Sequence, residues 1–250
     1  TESGAEFQAQ VFIDSSYEGD LMKAAGVSYS VGRESREKYG ESLAGRREFL
    51  PTNHQFRAPP SALDTADKLL PYLQPVEQIG RPGDGDGKVQ SYCFRICLTD
   101  REDIRLPILK PDRYDRSRYR LVENYLAALG DNAILRDFMG ISKLPNGKTD
   151  INSGGAVSTN LLGAAWEYPE ASYERRREIW NEHLTWAQGL FYFIANDPVV
   201  PARIRAEVRR EDIRAVPSRR PASGCEEGAA LGAGVCRQAM SPRRETAPMV

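Results

Sequence analysis

The first residues that could bind a ligand form a short polar turn between an apolar segment and a helix-like segment. This turn runs from Asp14 to Asp20 and reads Asp-Ser-Ser-Tyr-Glu-Gly-Asp. A helix N-terminus attracts phosphate, but the carboxylates of Glu18 and Asp20 would repel it. The hydroxyls of Ser15 and Ser16, the backbone and a carboxylate could instead hydrogen-bond the hydroxyl groups of a ligand. The alternative is a capped helix whose acidic residues satisfy the helix dipole.

Arg95 is the second candidate, because it lies on the polar face of the clearest predicted strand, Val89 to Leu98. The opposite face of this strand is apolar and consists of Tyr92, Phe94, Ile96 and Leu98. A guanidinium in this position could bind a substrate carboxylate through two hydrogen bonds. A salt bridge at the sheet surface is the alternative.

The third candidate is part of a polar segment, 146–160, that we expect to be a loop. Lys148, Asp150 and Asn152 offer charged and hydrogen-bonding groups, and Gly154 and Gly155 allow positive φ and close approach of a ligand. The loop could therefore line a substrate pocket. A structured turn without a ligand is the alternative interpretation.

Two histidines could act as general bases, and they differ in their surroundings. His54 lies in an irregular polar stretch and is the better candidate, by elimination. His183 lies within a long predicted helix, where a hydrogen-bonded or exposed histidine is the more common case. The sequence thus leaves His54 and Arg95 as weak catalytic candidates.

No metal site is expected. The pair Cys93 and Cys97 would be separated by roughly 13 Å along one strand face, too far for a disulfide or a shared metal. No Cys-x-x-Cys pair is present, so zinc and iron–sulfur sites lack support. The run that begins at Asp84 fails as a calcium loop, because its twelfth position is Arg95 rather than glutamate.

The N-terminal half that must position these residues is mostly irregular. We expect a buried strand over 5–14, then a tight turn and a short helix that ends at Gly26. Residues 32–60 show little periodicity. Residues 61–74 resemble a helix that Pro71 interrupts. Arg81 to Gly87 is a turn or mobile loop.

The C-terminal half contains the stronger helix signals. Residues 117–129 have apolar side chains at helical spacing and stop at Gly130. The strongest helix runs from about 170 to 195 and carries an apolar stripe of Trp180, Leu184, Ala187, Phe191 and Ile194, which we expect to be core. Its run of three arginines, 175–177, is expected to form a solvated face. Pro201 suits the start of another helix, which runs to about 210.

The composition limits the possible functions. The chain has 250 residues, with 40% hydrophobic and 28% charged residues and a formal net charge of −1. This balance indicates neither a nucleic-acid partner nor an acidic membrane surface, and no apolar run reaches the ~18 residues of a membrane span. The motifs of serine hydrolases, zinc proteases and P-loop nucleotide hydrolases are absent from the sequence. Neither the compartment nor the oligomeric state can be inferred.

Four stretches together resemble one family. They are residues 11–27 (Val-Phe-Ile-Asp-Ser-Ser-Tyr-Glu-Gly-Asp-Leu and onward), 89–99, 144–153 (Leu-Pro-Asn-Gly-Lys-Thr-Asp-Ile-Asn-Ser), and the helix 173–201 with its exit. In this order, over roughly residues 5–210, they resemble the bacterial FAD-dependent oxidoreductases related to the FAD-carrying subunit of heterodisulfide reductase.

The resemblance implies an α/β fold with an α+β insertion, as in flavoproteins of the glutathione-reductase type. Residues 1–28 would be the end of a segment of a Rossmann-like FAD-binding domain, with strand, turn and helix. Residues 29–210 would be the inserted substrate or cap domain, and 211–250 a tail of atypical composition that we expect to be disordered.

The resemblance also implies a cofactor and roles for the candidates. FAD would exchange a hydride or an electron pair with an unknown organic small molecule. Cofactor contacts on the adenosine side of FAD would be Asp14, Ser15, Ser16, Glu18, Gly19 and Asp20. Substrate contacts would be Arg95, Lys148, Asp150 and Asn152, and Arg95 could also stabilise negative charge on reduced flavin.

Two features depart from the family pattern. The Gly-x-Gly-x-x-Gly turn that binds the FAD pyrophosphate is absent, as is its acidic ribose partner. The glycines from 83 to 87 have the wrong spacing and no preceding strand. The tail does not resemble the family's return to the cofactor domain, so we expect an internal fragment with a divergent or out-of-frame end. The alternative function is a non-catalytic substrate-domain fragment or binding module without a cofactor.

Overall fold

The computed structural model describes residues 4–48, 55–99, 101, 107–210 and 241–242. The catalytic candidate His54, and the tail apart from residues 241–242, lie outside these residues. The chain divides into two compact units, Thr1–Val31 and Gly32–Val250.

The first unit contains one short helix, α1, Asp20–Ala24. The predicted strand over 5–14 is wrong, because these residues have no regular secondary structure. Ile13 is 84% exposed, and Phe7 and Val11 are similarly open. A strand needs a hydrogen-bonded neighbour for its backbone N–H and C=O groups, and the described part of this unit provides none.

The second unit contains four further α-helices, five short 3-10 helices and five short strands among its described residues. The α-helices are α2 Arg36–Tyr39, α3 Arg120–Leu129, α4 Tyr173–Asn196 and α5 Ala202–Arg210. The strands are β1 Tyr92–Cys93, β2 Ile96–Thr99, β3 Gly140–Leu144, β4 Lys148–Asn152 and β5 Ser241–Pro242. This mixture of helices with a small antiparallel sheet fits the predicted α/β class.

The main sheet has three antiparallel strands in the order β2-β4-β3, while β1 pairs separately with β5. The strand predicted over 89–98 is thus divided, since β1 ends at Cys93 and β2 starts at Ile96. Its predicted apolar face is confirmed: Tyr92, Phe94, Ile96 and Leu98 are all buried. In register, Ile96 pairs with Ile151 of β4, and Ile151 pairs with Ile141 of β3.

Strands β3 and β4 form a hairpin, so the prediction of a continuous polar loop over 146–160 is wrong for Lys148–Asn152. The turn residues Asn146 and Gly147 have φ values of 64° and 65°. Two successive positive φ values are typical of the tight hairpin turn that Asn-Gly favours. The hairpin signal was therefore present in the sequence, but polar side chains on both sides obscured it.

The two strongest helix predictions are confirmed. Helix α3 ends where Gly130 caps it. Helix α4 is capped by Ser172, whose Oγ accepts a hydrogen bond from the Arg175 N–H at 3.3 Å. Ala187 and Phe191 of its predicted stripe are buried, and Trp180 packs half-buried against the core, as expected.

The helix predicted for 61–74 is wrong. Asp64 instead closes a tight loop, because its Oδ1 accepts hydrogen bonds from the N–H groups of Ala66 at 2.7 Å and Lys68 at 3.0 Å. Leu63 then bridges to Leu69. An aspartate that binds nearby backbone in this way competes with helix formation, and Pro71 adds a second obstacle. The largely irregular structure predicted for 32–60 is confirmed over its described part, apart from α2.

The core lies between α3, α4, α5 and the sheet, and one arginine is buried at its margin. Arg176 is 9% exposed, and its guanidinium donates to the backbone oxygens of Tyr168 at 2.9 Å and Pro169 at 2.6 Å. The prediction that the run 175–177 is a solvated face is therefore wrong for this residue. Its side chain ties the segment before α4 to the helix.

Candidate functional site

The polar turn of the first unit is organised around the Asp14 carboxylate. Its Oδ1 accepts hydrogen bonds from the N–H of Ser16 at 2.9 Å and from the Ser16 hydroxyl at 2.7 Å. Its Oδ2 accepts from the N–H groups of Leu21 at 3.1 Å and Met22 at 3.2 Å, which are the first turn of α1. The Ser16 Oγ accepts in turn from the Gly19 N–H at 3.0 Å.

This arrangement is the capped helix that we considered as the alternative. An ionised carboxylate can accept about four hydrogen bonds. The Asp14 carboxylate accepts four, two from Ser16 and one each from the N–H groups of Leu21 and Met22. The hydrogen bonds from Ser16, followed by those from the helix backbone, lower the pKa of Asp14. Asp14 is therefore ionised at neutral pH, and its negative charge lies at the N-terminus of α1, where the helix dipole favours it.

The other members of the turn surround this cap. Glu18 and Asp20 are half-buried, and Ser15 is exposed. Gly19 precedes the helix with a φ of 66°, a left-handed conformation that glycine adopts at low cost. The turn thus brings together all six predicted cofactor-contact residues. However, the Asp14 carboxylate already accepts hydrogen bonds from the N–H groups at the start of α1.

Arg95 and Asp150, two of the predicted substrate contacts, bind each other. The Arg95 Nε donates to Asp150 Oδ1 at 3.1 Å, and its Nη2 donates to Oδ2. The side chain of Arg95 is 49% exposed, and that of Asp150 is 14% exposed. This is the surface salt bridge considered above. A fork-shaped pair of this kind holds β4 beside the chain that leads into β2.

The remaining loop candidates have separate positions. Lys148 starts β4 and is exposed, whereas Asn152 ends it and accepts a hydrogen bond from the Ser153 N–H through Oδ1 at 2.8 Å. A Cβ added to Gly155 would lie 2.0 Å from the Asp137 backbone oxygen, and one on Gly154 would lie 2.5 Å from the Gly140 nitrogen. The paired glycines thus admit neighbouring backbone rather than a ligand.

His183 is almost fully buried in α4. Its Nδ1 lies 2.8 Å from the Ile179 backbone oxygen, so this nitrogen carries the proton and donates. Nε2 has no hydrogen-bond partner among the described residues. Burial lowers the pKa of His183, so the ring is neutral near neutral pH. The helical position explains this burial and gives no sign of a catalytic role.

A second buried polar group, which the sequence did not reveal, lies between β1 and the segment 156–161. Cys93 Sγ is 3.4 Å from Thr159 Oγ1, and Asn160 Nδ2 donates to Ser91 Oγ at 2.9 Å. The Asn160 Oδ1 is buried without a partner in the part of the chain that the structure describes. Buried side-chain oxygens of this kind ordinarily accept a hydrogen bond. The alternation in the strand predicted over 89–98 placed Ser91 and Cys93 on one face, but it could not show which residues cover that face.

A surface cleft of 390 Å³ lies beside the C-terminal end of α3 and the start of α5. It is lined by residues that include Arg120, Glu123, Asn124, Asp131 and Pro201. Arg120 Nη1 is 2.9 Å from Glu123 Oε2, so the two charges neutralise each other. The cleft is lined by none of the catalytic, cofactor or substrate candidates that the sequence indicated.

The described residues were examined for metal-binding groups and for membrane-spanning helices. Over these ranges, no group of three or more histidine, cysteine, aspartate or glutamate side chains could hold a metal ion. Among the described helices, none is long and apolar enough to cross a membrane.

Comparison with known proteins identifies the family. No curated protein and no solved structure matches the chain significantly. A family described as FAD dependent oxidoreductase matches residues 1–234, which include both compact units except for the last residues of the second. The chain therefore belongs to the FAD-dependent oxidoreductase family.

Proposed function

We propose that this chain is part of a flavin-dependent oxidoreductase in which electrons or a hydride pass between FAD and an organic small molecule. The family match over residues 1–234 carries this proposal. We further propose a kinship to the FAD-carrying subunit of heterodisulfide reductase, on the four sequence stretches described above. In such a protein the flavin supplies the redox chemistry, and the polypeptide supplies binding, orientation and charge.

The described residues do not fit the pyrophosphate of FAD. A dinucleotide site offers unpaired N–H groups at a helix N-terminus and no negative charge beside them. Here Asp14 accepts from the N–H groups of Leu21 and Met22, at the helix that the family pattern would direct to the cofactor. The turn also carries Glu18 and Asp20. We therefore assign no phosphate contact to this turn.

Because the turn does not fit the pyrophosphate, we propose separate roles for the two parts of the chain. Residues 1–28 would be the end of a Rossmann-like segment, and 29–210 would be the substrate or cap domain. The Gly-x-Gly-x-x-Gly turn occurs nowhere in the 250 residues, so the grip on the pyrophosphate would come from a part of the parent protein that this sequence does not include.

The substrate side would be the open face of the β2-β4-β3 sheet. Arg95, Asp150 and Lys148 lie at this face, and the first two already form an ion pair. A substrate carboxylate would have to share the Arg95 guanidinium with Asp150, whose negative charge opposes a second anion beside it. We therefore expect any anionic substrate to bind more tightly when Asp150→Asn removes the competing charge, and more weakly when Arg95→Gln removes the fork.

A second function is favoured by the Asp14 cap. Because the carboxylate occupies the helix N-terminus, this chain could be a substrate-binding module without a cofactor of its own. The two hypotheses differ in whether the purified chain binds FAD.

The deciding experiment is a titration of the folded 250-residue chain with FAD. The anisotropy of flavin fluorescence and the emission of Trp166, Trp180 and Trp186 would be followed together. Saturable binding in the micromolar range supports a cofactor site, and Asp14→Ala should then change the affinity. Ser28→Ala, at an exposed serine outside the turn, serves as the control. The absence of binding, with circular dichroism that shows a folded chain, would support the module and reject a cofactor site on this chain.

A further inference from the structure

Four oxidisable aromatic rings form a continuous stack from the core to the surface of the second unit. The ring centroids of Trp186 and Tyr119 are 5.0 Å apart, those of Tyr119 and Tyr114 are 5.7 Å apart, and those of Tyr114 and Tyr192 are 4.9 Å apart. The first two pairs are stacked, with interplanar angles of 26° and 13°, and Tyr192 meets Tyr114 edge-on at 74°. At these separations each ring is in contact with the next.

The stack has a buried end and an open end. Trp186 is 6% exposed and Tyr119 is 1% exposed, whereas Tyr114 and Tyr192 are half-buried. Two nearly buried rings, an indole and a phenol, are therefore followed by two phenols that water reaches. Packing alone requires neither this order nor the presence of a phenol or an indole at every position.

The hydrogen bonds decide which ring can end as a radical. A phenol that loses an electron near neutral pH must also release its proton. The Tyr119 hydroxyl donates to the backbone oxygen of Trp186 at 3.1 Å, and an amide oxygen does not take up a proton at this pH. Tyr114 and Tyr192 can release theirs to water. The Lys110 ammonium lies 5.6 Å from the Tyr114 ring centroid and disfavours a cationic ring there, but not a neutral phenoxyl radical.

We propose that Trp186, Tyr119, Tyr114 and Tyr192 form a hole-transfer chain that moves an oxidising equivalent from the core to the surface. A one-electron oxidant, such as an oxygen-centred radical, would remove an electron from Trp186. The indole N–H donates to the Ser158 backbone oxygen at 2.9 Å and keeps its proton, so the product is an indole radical cation. An electron then passes from the Tyr114–Tyr192 pair, across the Tyr119 ring, to this radical cation, and the oxidised phenol releases its proton to water. A thiol or ascorbate outside the protein reduces the phenoxyl radical with one electron and one proton. This inference rests on the rings of this chain and is independent of the proposed function.

The test starts from a chain with a single tryptophan. The sequence contains three tryptophans, so Trp166→Phe and Trp180→Phe leave Trp186 as the only indole. Ultraviolet pulses at a wavelength that indole absorbs and phenol does not would eject an electron. Nitrous oxide converts this electron into a hydroxyl radical, which tert-butanol removes. Transient absorption would then follow the indole radical cation and the phenoxyl radical. We expect the band of the indole radical cation to decay at a rate independent of protein concentration, with an equal growth of the phenoxyl band.

Two variants and one control identify the route. Tyr119→Leu removes the ring that the electron crosses, so the rate of transfer should fall. Tyr114→Phe combined with Tyr192→Phe should remove the growth of the phenoxyl band. Tyr125→Phe is the matched control, since Tyr125 is a buried tyrosine of α3 whose hydroxyl accepts from the Arg57 N–H at 3.1 Å, and its rate should not change.

The outcomes separate the chain from ordinary packing. Loss of transfer in the double variant, with an unchanged rate in the control, supports the proposal. A decay that depends on protein concentration in the single-tryptophan chain overturns it. So does an unchanged rate in both the Tyr119 variant and the double variant. Far-ultraviolet circular dichroism of each variant ensures that the comparison is made between folded chains.

Discussion

Substitution of Gly189 tests how closely Tyr119 is seated against helix α4. A Cβ added to Gly189 would lie 1.9 Å from the Tyr119 hydroxyl oxygen, 2.8 Å from Cζ and 3.2 Å from Cε2. Tyr119 is held from its other sides by its stacked neighbours Trp186 and Phe193. The ring therefore has little freedom to move away from an added methyl group.

Two opposing effects set the magnitude for Gly189→Ala. In an unhindered helix interior, alanine is more stable than glycine by about 1 kcal/mol. An extra methyl group in a packed core costs about 1–3 kcal/mol, and a separation of 1.9 Å places this case at the upper end. We expect a net decrease of about 2 kcal/mol in the free energy of unfolding, whereas helix propensity alone predicts an increase of about 1 kcal/mol.

Removal of the Tyr119 hydroxyl should partly restore stability. Tyr119→Phe alone loses one hydrogen bond, at a cost of about 1 kcal/mol. In the double variant the hydroxyl no longer meets the methyl group, although Cζ remains close at 2.8 Å. The two changes should therefore couple favourably by about 1–2 kcal/mol, within the range for residues in direct contact.

Urea denaturation of the four proteins in this cycle measures the coupling. The matched pair is Gly189→Ala with Tyr125→Phe, because the Tyr125 hydroxyl binds Arg57 elsewhere, and these changes should add within about 0.5 kcal/mol. If Gly189→Ala raises the stability, or if Tyr119→Phe fails to couple with it, Tyr119 is not seated against α4 as described. The central ring of the proposed hole-transfer chain would then also lose its support.

Three further predictions concern single positions. Gly155→Ala should destabilise the chain by about 1–3 kcal/mol more than Gly26→Ala in urea denaturation, because both have a φ of +72° but only Gly155 has backbone within 4 Å of the new Cβ; equal losses would contradict this. Burial lowers the pKa of His183 below its ordinary value of 6.5, so the contribution of the neutral ring to stability is complete above about pH 6.5 and is lost as the pH falls below it. His183→Leu should therefore make the urea midpoint less dependent on pH between about pH 6.5 and 5. An unchanged pH dependence would show that other groups cause it. Hydrogen bonds from Ser16 and the helix backbone lower the pKa of Asp14, so its cap is complete above the ordinary value of 3.8 and is lost as the pH falls through the lower folded value; Asp14→Ala should speed exchange of the Met22 amide hydrogen at neutral pH, and unaltered exchange would refute the cap.

The long helices could be predicted because one periodic pattern decides both their existence and their buried face. In α4 the spacing of Trp180, Ala187 and Phe191 placed the stripe correctly. The same pattern could not show that Arg176 is buried, since its partners are backbone oxygens of the preceding turn. A charged side chain that binds carbonyl groups leaves no periodic signal.

The strand errors have a different physical cause. An apolar alternation over 5–14 indicates what a segment would bury if a neighbouring strand were present, and the structure provides no such strand among the described residues of its unit. The hairpin shows the reverse case. Pairing with β2 and β3 makes a strand of Lys148–Asn152, although its side chains are mostly polar. Strand formation depends on distant partners, which a local pattern does not contain.

The sequence allowed us to predict which residues belong to the candidate site, but not which side chains bind each other. Arg95 and Asp150 were both recognised, yet their pairing depends on the register in which Ile96 meets Ile151. Long-range register is set by the whole sheet. The buried contact between Cys93 and Thr159 likewise joins residues far apart in the chain.

The Asp14 turn shows why family membership and cofactor binding must be argued separately. The residues that carry the resemblance are the same residues that cap α1, so their presence is explained by local structure as well as by a ligand. A phosphate could displace the carboxylate from the helix N-terminus only if the Asp14 side chain left four hydrogen bonds, and the displaced charge would remain beside the incoming one. A flavin on this chain would therefore need positive or N–H groups from elsewhere to offset that repulsion. The affinity of the isolated chain for FAD, compared with that of Asp14→Ala, measures how much of that requirement the turn itself imposes.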